Sequence, residues 1–439
     1  MKILIISYDF YPENKPNAYR WYNVANKWQN EGSEVFVITA NKNQYLPFEE
    51  VDGIKIYRST EYFVGNMKYK YRENVKGGSK INEQDTRLSF KAFFKTGLKK
   101  TYEFTWSKLY WPDYSFLWYF SAVPLASKII EEQKIDKLIT VSWTFTSHLI
   151  GNKLKKKYAS LFWLADTIDI FSFNGKINNL FLYQKLNRYI ENKIFLNADY
   201  NTVLTEKIKQ QYVELFPEIG NKIAVNHNIY LPNTFNYEKL DNQNTRIIKV
   251  LFLGTLTEEV RSPKRMLSIF DRLIEKHPDC NFVLDFYGEF TDTISSFNEY
   301  PELLNKSIFL YGFISRDEVN LAIKNADVLL NVGNKNEFQE PSKLIEYMYS
   351  RKKIINFCSI EADTSLELLE KYPLKFNVLC DDKCDDNLLT NIFSFFNSSA
   401  TIDKESMDII LKDFFLDEVA DRYMKIIKKV LNKIKIKRK

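Results

Sequence analysis

Residues 326–357 read ADVLLNVGNKNEFQEPSKLIEYMYSRKKIINF, and this stretch is the most informative part of the sequence. The apolar run Val328–Leu330 predicts a buried strand of a parallel sheet, and Ile354–Phe357 predicts the next strand. Between them lie a polar loop, Pro341 as the predicted first residue of a helix, and Glu346 within that helix. A strand–loop–helix–strand unit places ligands beyond the carboxyl ends of parallel strands. A carboxylate near the start of such a helix can bind a sugar diol, which makes Glu346 a candidate ligand-binding residue; the alternative is a surface glutamate without a partner.

The predicted helix has two distinct faces. Its core-facing positions are Leu344, Ile345 and Met348. Ser342 and Glu346 lie together on another face, roughly 40° apart at about 100° per residue. This places Glu346 away from the core and near the helix start. Two acidic residues of the preceding loop are further candidates for the same contact: Glu337 and Glu340.

Length and composition indicate a protein of two ordinary globular domains. With 439 residues, each of two domains can bury a full core, and 27% of the residues are charged, as in typical globular proteins. The net charge of +6 is too small to indicate nucleic-acid binding. No aromatic–basic repeat or zinc-finger spacing accompanies that charge, so nucleic acid is not a predicted partner.

The cysteines, the histidines and the N-terminus suggest a cytoplasmic protein. Cys380 and Cys384 are the one close cysteine pair, and only three histidines are present, so we expect no metal site. This cysteine usage fits a reducing compartment. Lys2–Ser7 is strand-like and too short for a signal peptide, and no apolar run is long enough to span a bilayer.

Apolar strands alternate with amphipathic helices along the whole chain, as in doubly wound α/β proteins. The alternation lapses at about Leu231–Thr245, where Pro, Asn and Asp predict a linker. We predict two facing Rossmann-like domains with a cleft, residues 1–230 and 231–414, and a final helix at about 415–439 that is a candidate to pack back on the first domain. The polar segment Lys68–Lys100 predicts a long loop. The predicted strands are Ile3–Ser7, Val35–Thr39, Leu138–Val141, Phe162–Ala165, Thr202–Leu204, Ile248–Leu253, Phe282–Tyr287, Ile308–Tyr311, Val328–Val332 and Ile354–Phe357.

A basic cluster follows the strand that opens the second domain, within LFLGTLTEEVRSPKRMLSIFDRL from Leu251. Ser262 suits the N-cap of the next helix and Pro263 its first position. The three basic residues at that helix start are Arg261, Lys264 and Arg265. Free backbone N–H groups and the positive end of the helix dipole favour an anion there, and Arg has a planar fork suited to phosphate oxygens. The alternative is a set of solvated surface charges, which fits Arg265 best and Arg261 least.

Two β–α junctions of the first domain supply further candidates. The first, SYDFYPENKPNAYRWYNVANKW from Ser7, is polar and has Arg20 just inside its helix. The second region reads VSWTFTSHLIGNKL and then WLADTIDIF; it puts His148 near a helix start, and Asp166 and Asp169 after a strand. Side chains that follow parallel strands lie where ligands bind. The alternatives are a helix-surface charge for Arg20, a packed residue for His148 and a helix cap for Asp169.

Basic and aromatic segments of the chain suit a membrane surface. The C-terminal sequence KIIKKVLNKIKIKRK from Lys425 alternates Lys with Ile and Val. Basic charge beside apolar groups favours an anionic bilayer, so we predict peripheral contact at the inner face of the cytoplasmic membrane. The alternative is a solvated tail and a buried aromatic core. The aromatic residues concerned are Tyr102, Phe104, Trp106, Tyr110, Trp111, Tyr114, Phe116, Trp118 and Tyr119, which follow Lys95, Lys99 and Lys100.

These segments resemble the GT-B glycosyltransferases, and specifically the retaining family 4 type, along nearly the whole chain. The segment PSKLIEYMYSRKKII, residues 341–355, resembles the family's Glu-bearing helix and the turn before its next strand. Glu346 falls at the second Glu of the family's paired-Glu motif, the one that binds the nucleotide ribose. Phe338 stands where the first Glu belongs, which leaves Glu337, Glu340 or the loop backbone to replace it.

The resemblance extends to the diphosphate site and to the first domain. The family usually has an Arg directly after the strand-end glycine and a Lys some residues later; here Thr255 follows Gly254, and Arg261 falls at the Lys position. The RSP turn resembles a branch of the family found in surface-polysaccharide assembly. The run SWTFTSHLIG with LFWLADTIDIF resembles that branch's first domain, which implies that His148 and Asp169 face the donor or the acceptor.

The resemblance implies transfer of a sugar, with retention, from a nucleoside diphosphate sugar to a glycan or lipid-linked acceptor in capsule, O-antigen or exopolysaccharide assembly. The departing phosphate assists the incoming hydroxyl, so no protein nucleophile, metal or cofactor is implied. Arg261 and Lys264 would stabilise the charge on the diphosphate, and His148 would orient donor or acceptor. The implied donor-binding residues are Gly254, Thr255, Arg261, Lys264, Glu337, Glu340, Ser342, Lys343, Leu344 and Glu346. The implied acceptor-side residues are Asn17, Arg20 and Asp169.

Two alternatives stay open. A nucleotide-sugar epimerase of the same architecture uses several carboxylates and histidines, and this chain has three histidines in all. A degenerate GT-B protein would bind a partner or glycan without turnover, and Phe338 and Thr255 are the residues that keep this possibility open.

Overall fold

A computed structural model describes residues 1–13, 15–42, 45–61, 110–173, 180–231, 247–341 and 343–437. The chain forms two compact units: Met1–Asn228 together with Leu416–Lys439, and Ile229–Phe415. Several predictions concern residues outside the described ranges. They are the loop at Lys68–Lys100, the aromatic residues Tyr102 to Trp106, the linker beyond Leu231, the donor contact of Ser342, and the last two basic residues.

Strands alternate with helices in both units. The strands are β1 (Lys2–Ser7), β2 (Glu34–Asn41), β3 (Phe48–Val51), β4 (Ile54–Thr60), β5 (Lys137–Ser142), β6 (Phe162–Thr167), β7 (Tyr200–Val203), β8 (Ile223–Val225), β9 (Ile247–Thr255), β10 (Asn281–Glu289), β11 (Ile308–Tyr311), β12 (Val328–Val332), β13 (Lys353–Phe357) and β14 (Lys375–Val378). The helices are α1 (Pro16–Asn30), α2 (Trp118–Gln133), α3 (Thr146–Lys157), α4 (Leu180–Asn197), α5 (Glu206–Leu215), α6 (Lys264–Lys276), α7 (Ile294–Asn298), α8 (Arg316–Asn325), α9 (Lys343–Tyr349), α10 (Thr364–Leu368), α11 (Asp386–Asn397), α12 (Lys404–Leu411) and α13 (Leu416–Lys437). Across the described part of the chain, no helix is long and apolar enough to cross a membrane.

The first unit is built on an eight-stranded sheet in the order β3-β4-β2-β1-β5-β6-β7-β8. Its neighbouring strands pair in parallel, except for the antiparallel pair of β3 and β4 at one edge. Every residue of β5 and β6 is buried, as expected for parallel strands that are covered on both faces. Because β1 lies between β2 and β5, the strand order reverses at β1, and this is where an open α/β sheet binds ligands.

The C-terminal helix α13 belongs to the first unit and packs on α1. Trp28 Nε1 donates to the carbonyl oxygen of Ala420 at 3.3 Å, and Lys27 forms an ion pair with Asp417 at 3.0 Å. Tyr423 is fully buried, with its ring centroid 5.0 Å from that of Trp21. The last helix of the chain is therefore part of the core of the first unit.

The second unit is built on a six-stranded sheet in the order β11-β10-β9-β12-β13-β14, with all pairs parallel. Its apolar core includes the buried face of α6, to which Met266, Leu267 and Phe270 contribute. The strand order reverses at β9, which lies between β10 and β12. The carboxyl end of β9 is thus the second position in the molecule where this sheet type binds ligands.

The predicted α/β architecture with two parallel sheets is confirmed. The strands that were not predicted are β3, β4, β8 and β14, which lie at or next to sheet edges. Edge strands such as β3 and β14 are only partly buried, so their sequences lack the continuous apolar run of a central strand.

Two helices begin later than predicted. Helix α6 begins at Lys264, because the Ser262 hydroxyl donates to Glu258 Oε2 at 2.9 Å and forms no cap. Helix α9 begins at Lys343, two residues after Pro341. Both differences lengthen the loops at the ligand edge of the second sheet.

Candidate functional site

The strands β9 and β12 part at the ligand edge of the second sheet. They pair in register only as far as Phe252 and Leu330. At the next residue, the backbone N–H of Leu253 donates to the Tyr347 hydroxyl of α9 at 2.9 Å. This opening at the point of strand reversal is the crevice in which a doubly wound sheet accommodates a ligand.

Glycines allow close backbone approach along this edge. Gly254 and Gly288 are register partners on β9 and β10, with φ angles of 148° and 141° that other residues rarely adopt. A Cβ atom at Gly288 would lie 1.7 Å from the Gly254 carbonyl oxygen. One at Gly333, just after β12, would lie 1.8 Å from a carboxylate oxygen of Asp363. Any other residue at Gly288 would force the two strands apart, and any other residue at Gly333 would displace the Asp363 carboxylate.

Arg261 returns to the end of β9 through a tight turn. Thr257 and Arg261 exchange two backbone hydrogen bonds, of 2.8 and 3.3 Å. The turn leaves Arg261 Nη1 3.9 Å from the position that a Cβ atom of Gly254 would occupy. Arg261 Nε donates to Asn334 Oδ1 at 2.6 Å, and Asn334 Nδ2 donates to the carbonyl oxygen of Gln339 at 2.8 Å. The guanidinium therefore stands at the strand end although position 255 is Thr.

The outer nitrogens of Arg261 are available to a ligand. Among the described residues, none accepts a hydrogen bond from Nη1 or Nη2. Burial lowers the pKa of this guanidinium from its ordinary value, while Tyr347 and Asp363 act in the opposite direction. Arginine nevertheless stays charged in proteins. A half-buried planar cation with two free nitrogens suits an anion with several oxygens, such as a phosphate.

The neighbouring basic residues differ from Arg261. The Lys264 side chain is 60% exposed, and its Nζ lies 3.9 Å from Glu258 Oε2. Arg265 Nη2 donates to the carbonyl oxygen of Asp382 at 2.8 Å, so the prediction that Arg265 is a solvated surface charge is wrong. Thr255 is exposed at the end of β9.

Glu346 is buried, with its side chain 5% exposed, so the alternative of a surface glutamate is wrong. Its Oε2 accepts a hydrogen bond from Lys343 Nζ at 2.9 Å. Its Oε1 lies 3.0 Å from Arg316 Nη1, but this ion pair is not directed as a hydrogen bond. From the residues that the structure describes, Oε1 accepts no hydrogen bond at all. One oxygen of a buried carboxylate thus keeps unused acceptor capacity, which a ligand hydroxyl could fill.

The remaining predicted donor residues lie in α9 or in the loop that precedes it. Leu344 is buried in the core, and its backbone N–H donates to the carbonyl oxygen of Pro341 at 3.0 Å. Glu337 and Glu340 are half-buried in the loop between β12 and α9. Phe338 lies in the same loop, where its backbone N–H donates to Asn336. The donor-binding roles of these residues stay predictions.

Arg20 lies inside the first unit, and an acceptor-facing role does not fit its burial. Its side chain is 1% exposed, and its Nη1 forms an ion pair with Asp166 Oδ2 at 2.7 Å. Its Nη2 donates to the carbonyl oxygens of Asn226 at 2.9 Å and His227 at 3.2 Å, and to the Tyr423 hydroxyl at 2.6 Å. These contacts join α1, β6, α13 and the segment after β8. Arg20 therefore holds the first unit together.

His148 is also enclosed. Its Nδ1 lies 2.8 Å from Thr140 Oγ1 and its Nε2 lies 3.0 Å from Thr167 Oγ1, so both ring nitrogens are engaged. Burial lowers the pKa of His148 to about 3, which keeps the ring neutral at physiological pH. A catalytic role does not fit this placement, because no substrate atom can reach a ring nitrogen. Asn17 and Asp169 are half-buried and stay candidates for acceptor contact.

A charged cluster that was not predicted follows β1 and β2. Lys42 Nζ lies 2.5 Å from Asp9 Oδ1 and 3.1 Å from Glu13 Oε1, and Lys15 Nζ lies 2.7 Å from Asp9 Oδ1. Asp9 and Lys42 are both buried. Because adjacent parallel strands end at one sheet edge, charged residues placed just after β1 and β2 could have indicated this cluster. Within the described ranges, no group of three or more His, Cys, Asp or Glu side chains could hold a metal ion.

Neither family models nor curated proteins match the sequence, whereas solved structures match nearly the whole chain. A glycosyltransferase from Rickettsia africae matches with a TM-score of 0.60 and 15% identity, covering 98% of both chains. The lipopolysaccharide outer core galactosyltransferase WaaB matches with a TM-score of 0.59 and 16% identity, covering 98% of this chain and 99% of WaaB. A UDP-GlcNAc 2-epimerase from Methanocaldococcus jannaschii matches with a TM-score of 0.50 and 14% identity, covering 98% of this chain and all of the epimerase. At such identities the likeness shows the fold, the two-domain GT-B architecture.

Proposed function

We propose that this protein is a glycosyltransferase that moves a sugar from a nucleoside diphosphate sugar to a glycan or lipid-linked acceptor. The observation that carries the proposal is the Arg261 guanidinium, which stands at the end of the switch-point strand β9 with two unused nitrogens. Glu346, in the same unit, supplies a buried carboxylate with one unused oxygen for a ribose hydroxyl. The GT-B fold of the chain supports this interpretation.

Arg261 would act on the charge that develops as the diphosphate leaves. Negative charge accumulates on the departing phosphate oxygens, and a cation fixed beforehand stabilises that charge without reorganisation. Asn334 fixes Nε, so the outer edge of the guanidinium is oriented before the donor binds. We therefore assign the main catalytic role to Arg261. Lys264, with its exposed side chain, is assigned a weaker electrostatic role.

We further propose that transfer proceeds with retention and serves the assembly of a surface polysaccharide, namely capsule, O-antigen or exopolysaccharide. The support is the resemblance of the Glu346 helix and the Arg261 turn to retaining family 4 enzymes. Such transfer needs no nucleophile from the protein and, in this proposal, no metal or cofactor. His148 is not part of this mechanism.

An anionic membrane surface is the second proposed partner, at the cytoplasmic face where a lipid-linked acceptor would be found. Lys425, Lys428 and Lys429 are exposed on α13 at spacings of three and four residues, whereas Ile426 and Ile427 face the core. Among the aromatic residues considered for this contact, Trp118 is fully buried and cannot contribute. The basic face of α13 therefore carries the membrane proposal.

Thermal shift against nucleoside diphosphates and their sugars tests the donor site. A ligand at 100 times its Kd adds about 2.7 kcal/mol of stability. Arg261→Ala should abolish the response to diphosphates, and Glu346→Ala should abolish the response to nucleotides with an intact ribose. Lys306→Ala, at a residue whose side chain is 67% exposed, is the matched control and should respond as the wild type does. A wild-type protein that responds to no nucleotide would exclude the proposal.

A further inference from the structure

The end of β11 and the loop after it present exposed aromatic groups, and the first residue of α8 presents a basic group beside Glu346. Phe313 is 77% exposed and Tyr311 is 41% exposed. Ser315 and Glu318 form a capping box that fixes the start of α8, so Arg316 extends from the first helical position. Its Nη1 lies 3.0 Å from Glu346 Oε1. A solvent-accessible cation thus reaches a carboxylate that is otherwise buried.

Arg316 has more hydrogen-bonding capacity than its contact with Glu346 uses. A guanidinium has five N–H donors and no acceptor. In the described parts of the chain, the Glu346 carboxylate is the one acidic group within ion-pair distance of Arg316, and that contact is not a directed hydrogen bond. The Arg316 side chain is 56% exposed, so a ligand bound at the Glu346 carboxylate has access to its remaining donors.

We infer that Arg316 recognises the nucleobase of the donor and favours uracil or guanine over adenine. This inference rests on the proposed function, because it takes Glu346 as the group that binds the ribose. A single bond joins ribose and base, so a nucleoside whose hydroxyls contact Glu346 places its base close to the neighbours of Glu346. Arg316 is the neighbour with unused donors.

The preference follows from the hydrogen-bonding edges of the bases. Guanine offers O6 and N7 as adjacent acceptors, which is the pattern that an arginine fork binds in a bidentate manner. Uracil offers the carbonyl oxygens O2 and O4 on either side of its N3–H donor, so Arg316 would bind one of these oxygens rather than both. Adenine places its amino group next to N7, and Arg316 has no acceptor for that donor. Phe313 would add stacking, which contributes affinity for every base but no selection among them.

A second cation, Lys343, contacts the other oxygen of the Glu346 carboxylate and can be compared with Arg316. Lys343 Nζ donates to Oε2 at 2.9 Å, and its side chain is 42% exposed. Lys343 lies on the helix of Glu346 itself, three residues earlier. We therefore treat Lys343 as a positioning residue that sets the carboxylate, and Arg316 as the residue that determines base preference.

Isothermal titration of the full chain with UDP, GDP and ADP tests this assignment. One bidentate contact to a base changes affinity by about 5- to 150-fold. The wild type should bind GDP tighter than ADP by a factor in that range, or UDP tighter than ADP by a factor towards its lower end. Arg316→Gln should reduce this ratio to near one or reverse it, because the glutamine amide can pair with both groups of adenine. Lys343→Gln, the matched control, should weaken the binding of all three nucleotides by a similar factor and leave the ratio of their affinities unchanged.

The possible results separate this inference from the proposed function. If UDP, GDP and ADP bind and their ratio is the same in wild type and Arg316→Gln, the base assignment is overturned while the donor site stands. If Arg316→Gln loses affinity for all three nucleotides by the same factor, the base assignment is also overturned, since Arg316 would then only position Glu346. Absence of binding by any nucleotide in the wild type removes both proposals.

Discussion

Arg20 shows that burial can change what a charged residue does. Removing its guanidinium would leave the Asp166 carboxylate, which is also inside the unit, without its cation. We expect Arg20→Ala to lower the free energy of unfolding by about 3–5 kcal/mol. Lys128→Ala breaks an exposed pair with Glu132 and should cost less than about 1 kcal/mol. Urea denaturation measures both values; a similar small loss in the two variants would show that Arg20 is not structurally required.

The neutral ring of His148 predicts how stability depends on pH. Burial depresses the pKa of His148 to about 3 in the folded protein, whereas an unfolded histidine has a pKa of about 6.5. Between these values the unfolded state binds one more proton, so this group lowers stability as pH falls from 6.5 to 3. The slope is at most about 1.4 kcal/mol per pH unit. Urea denaturation at several pH values should give a shallower slope for His148→Gln; equal slopes would show that His148 does not titrate as predicted.

The site residues differ in how well sequence could predict them. Glu346 and Arg261 could be found, because one lies at a fixed helical position and the other in a short loop after a strand. Their partners could not, because Arg316 and Asn334 are brought in by other strands of the sheet. Arg20 follows a ligand-edge loop in sequence, yet its side chain is directed into the unit, and local sequence does not specify that direction.

At the scale of elements, α13 depends on its buried tyrosine for attachment to the first unit. The Tyr423 hydroxyl donates to Asp166 Oδ1 at 2.6 Å, and its ring packs near Trp21 and Trp28. We expect Tyr423→Ala to cost about 3–5 kcal/mol, as for other buried aromatic residues. Tyr423→Phe should lower the free energy of unfolding by about 1–3 kcal/mol, because it removes one of the two hydrogen bonds to Asp166 Oδ1, the other coming from the Thr202 hydroxyl, and takes the hydroxyl acceptor away from Arg20 Nη2.

Lys425, two residues away on the exposed side of α13, provides the control for this prediction. Lys425→Ala should change the free energy of unfolding by no more than about 0.5 kcal/mol. Guanidinium denaturation should show the largest loss for Tyr423→Ala, a smaller loss for Tyr423→Phe and the smallest for Lys425→Ala. A Tyr423→Ala protein as stable as the wild type would mean that α13 contributes little to the first unit.

Strands with a continuous apolar run could be predicted from the sequence, and strands without such a run could not. The bounds predicted for β11 and β12 match the structure, because an apolar run has clear limits. The edge strand β3, with the sequence FEEV, has no apolar run at all. The start of α9 was also misplaced, because Pro341 suits a first helical position equally well whether or not the helix begins there.

For the whole molecule, the periodicity of the sequence was sufficient to predict the two parallel sheets but not the reaction that the protein catalyses. Alternating strands and helices specify two parallel sheets, since that pattern has few other solutions. The fold is shared by glycosyltransferases and by an epimerase, so it does not by itself select between them. Arg261, at the end of β9, has two nitrogens that no described residue uses and that fit a phosphate, but the substrates of both classes carry phosphate, so a sugar-transfer assay is needed to separate them.

Electrostatics of the whole chain make the membrane proposal testable. The chain carries a net charge of +6, and the exposed lysines of α13 (Lys425, Lys428 and Lys429) concentrate positive charge on one helix face. Each lysine near an anionic surface contributes about 1 kcal/mol, so changing all three to Ala should weaken binding by roughly a hundredfold. The triple Lys→Arg variant keeps the charge and should bind as the wild type does.

Sedimentation with vesicles separates this electrostatic contact from others. The wild type should pellet with vesicles rich in phosphatidylserine, pellet less as salt is raised, and stay in solution with uncharged phosphatidylcholine vesicles. Salt acts in this way because the attraction between exposed charges is screened beyond about 10 Å at 0.1 M ionic strength. Wild-type protein that stays in the supernatant with anionic vesicles at low salt would remove the membrane from its partners. Equal pelleting of the Ala and Arg variants would instead place the contact elsewhere on the chain, because α13 charge is what distinguishes them.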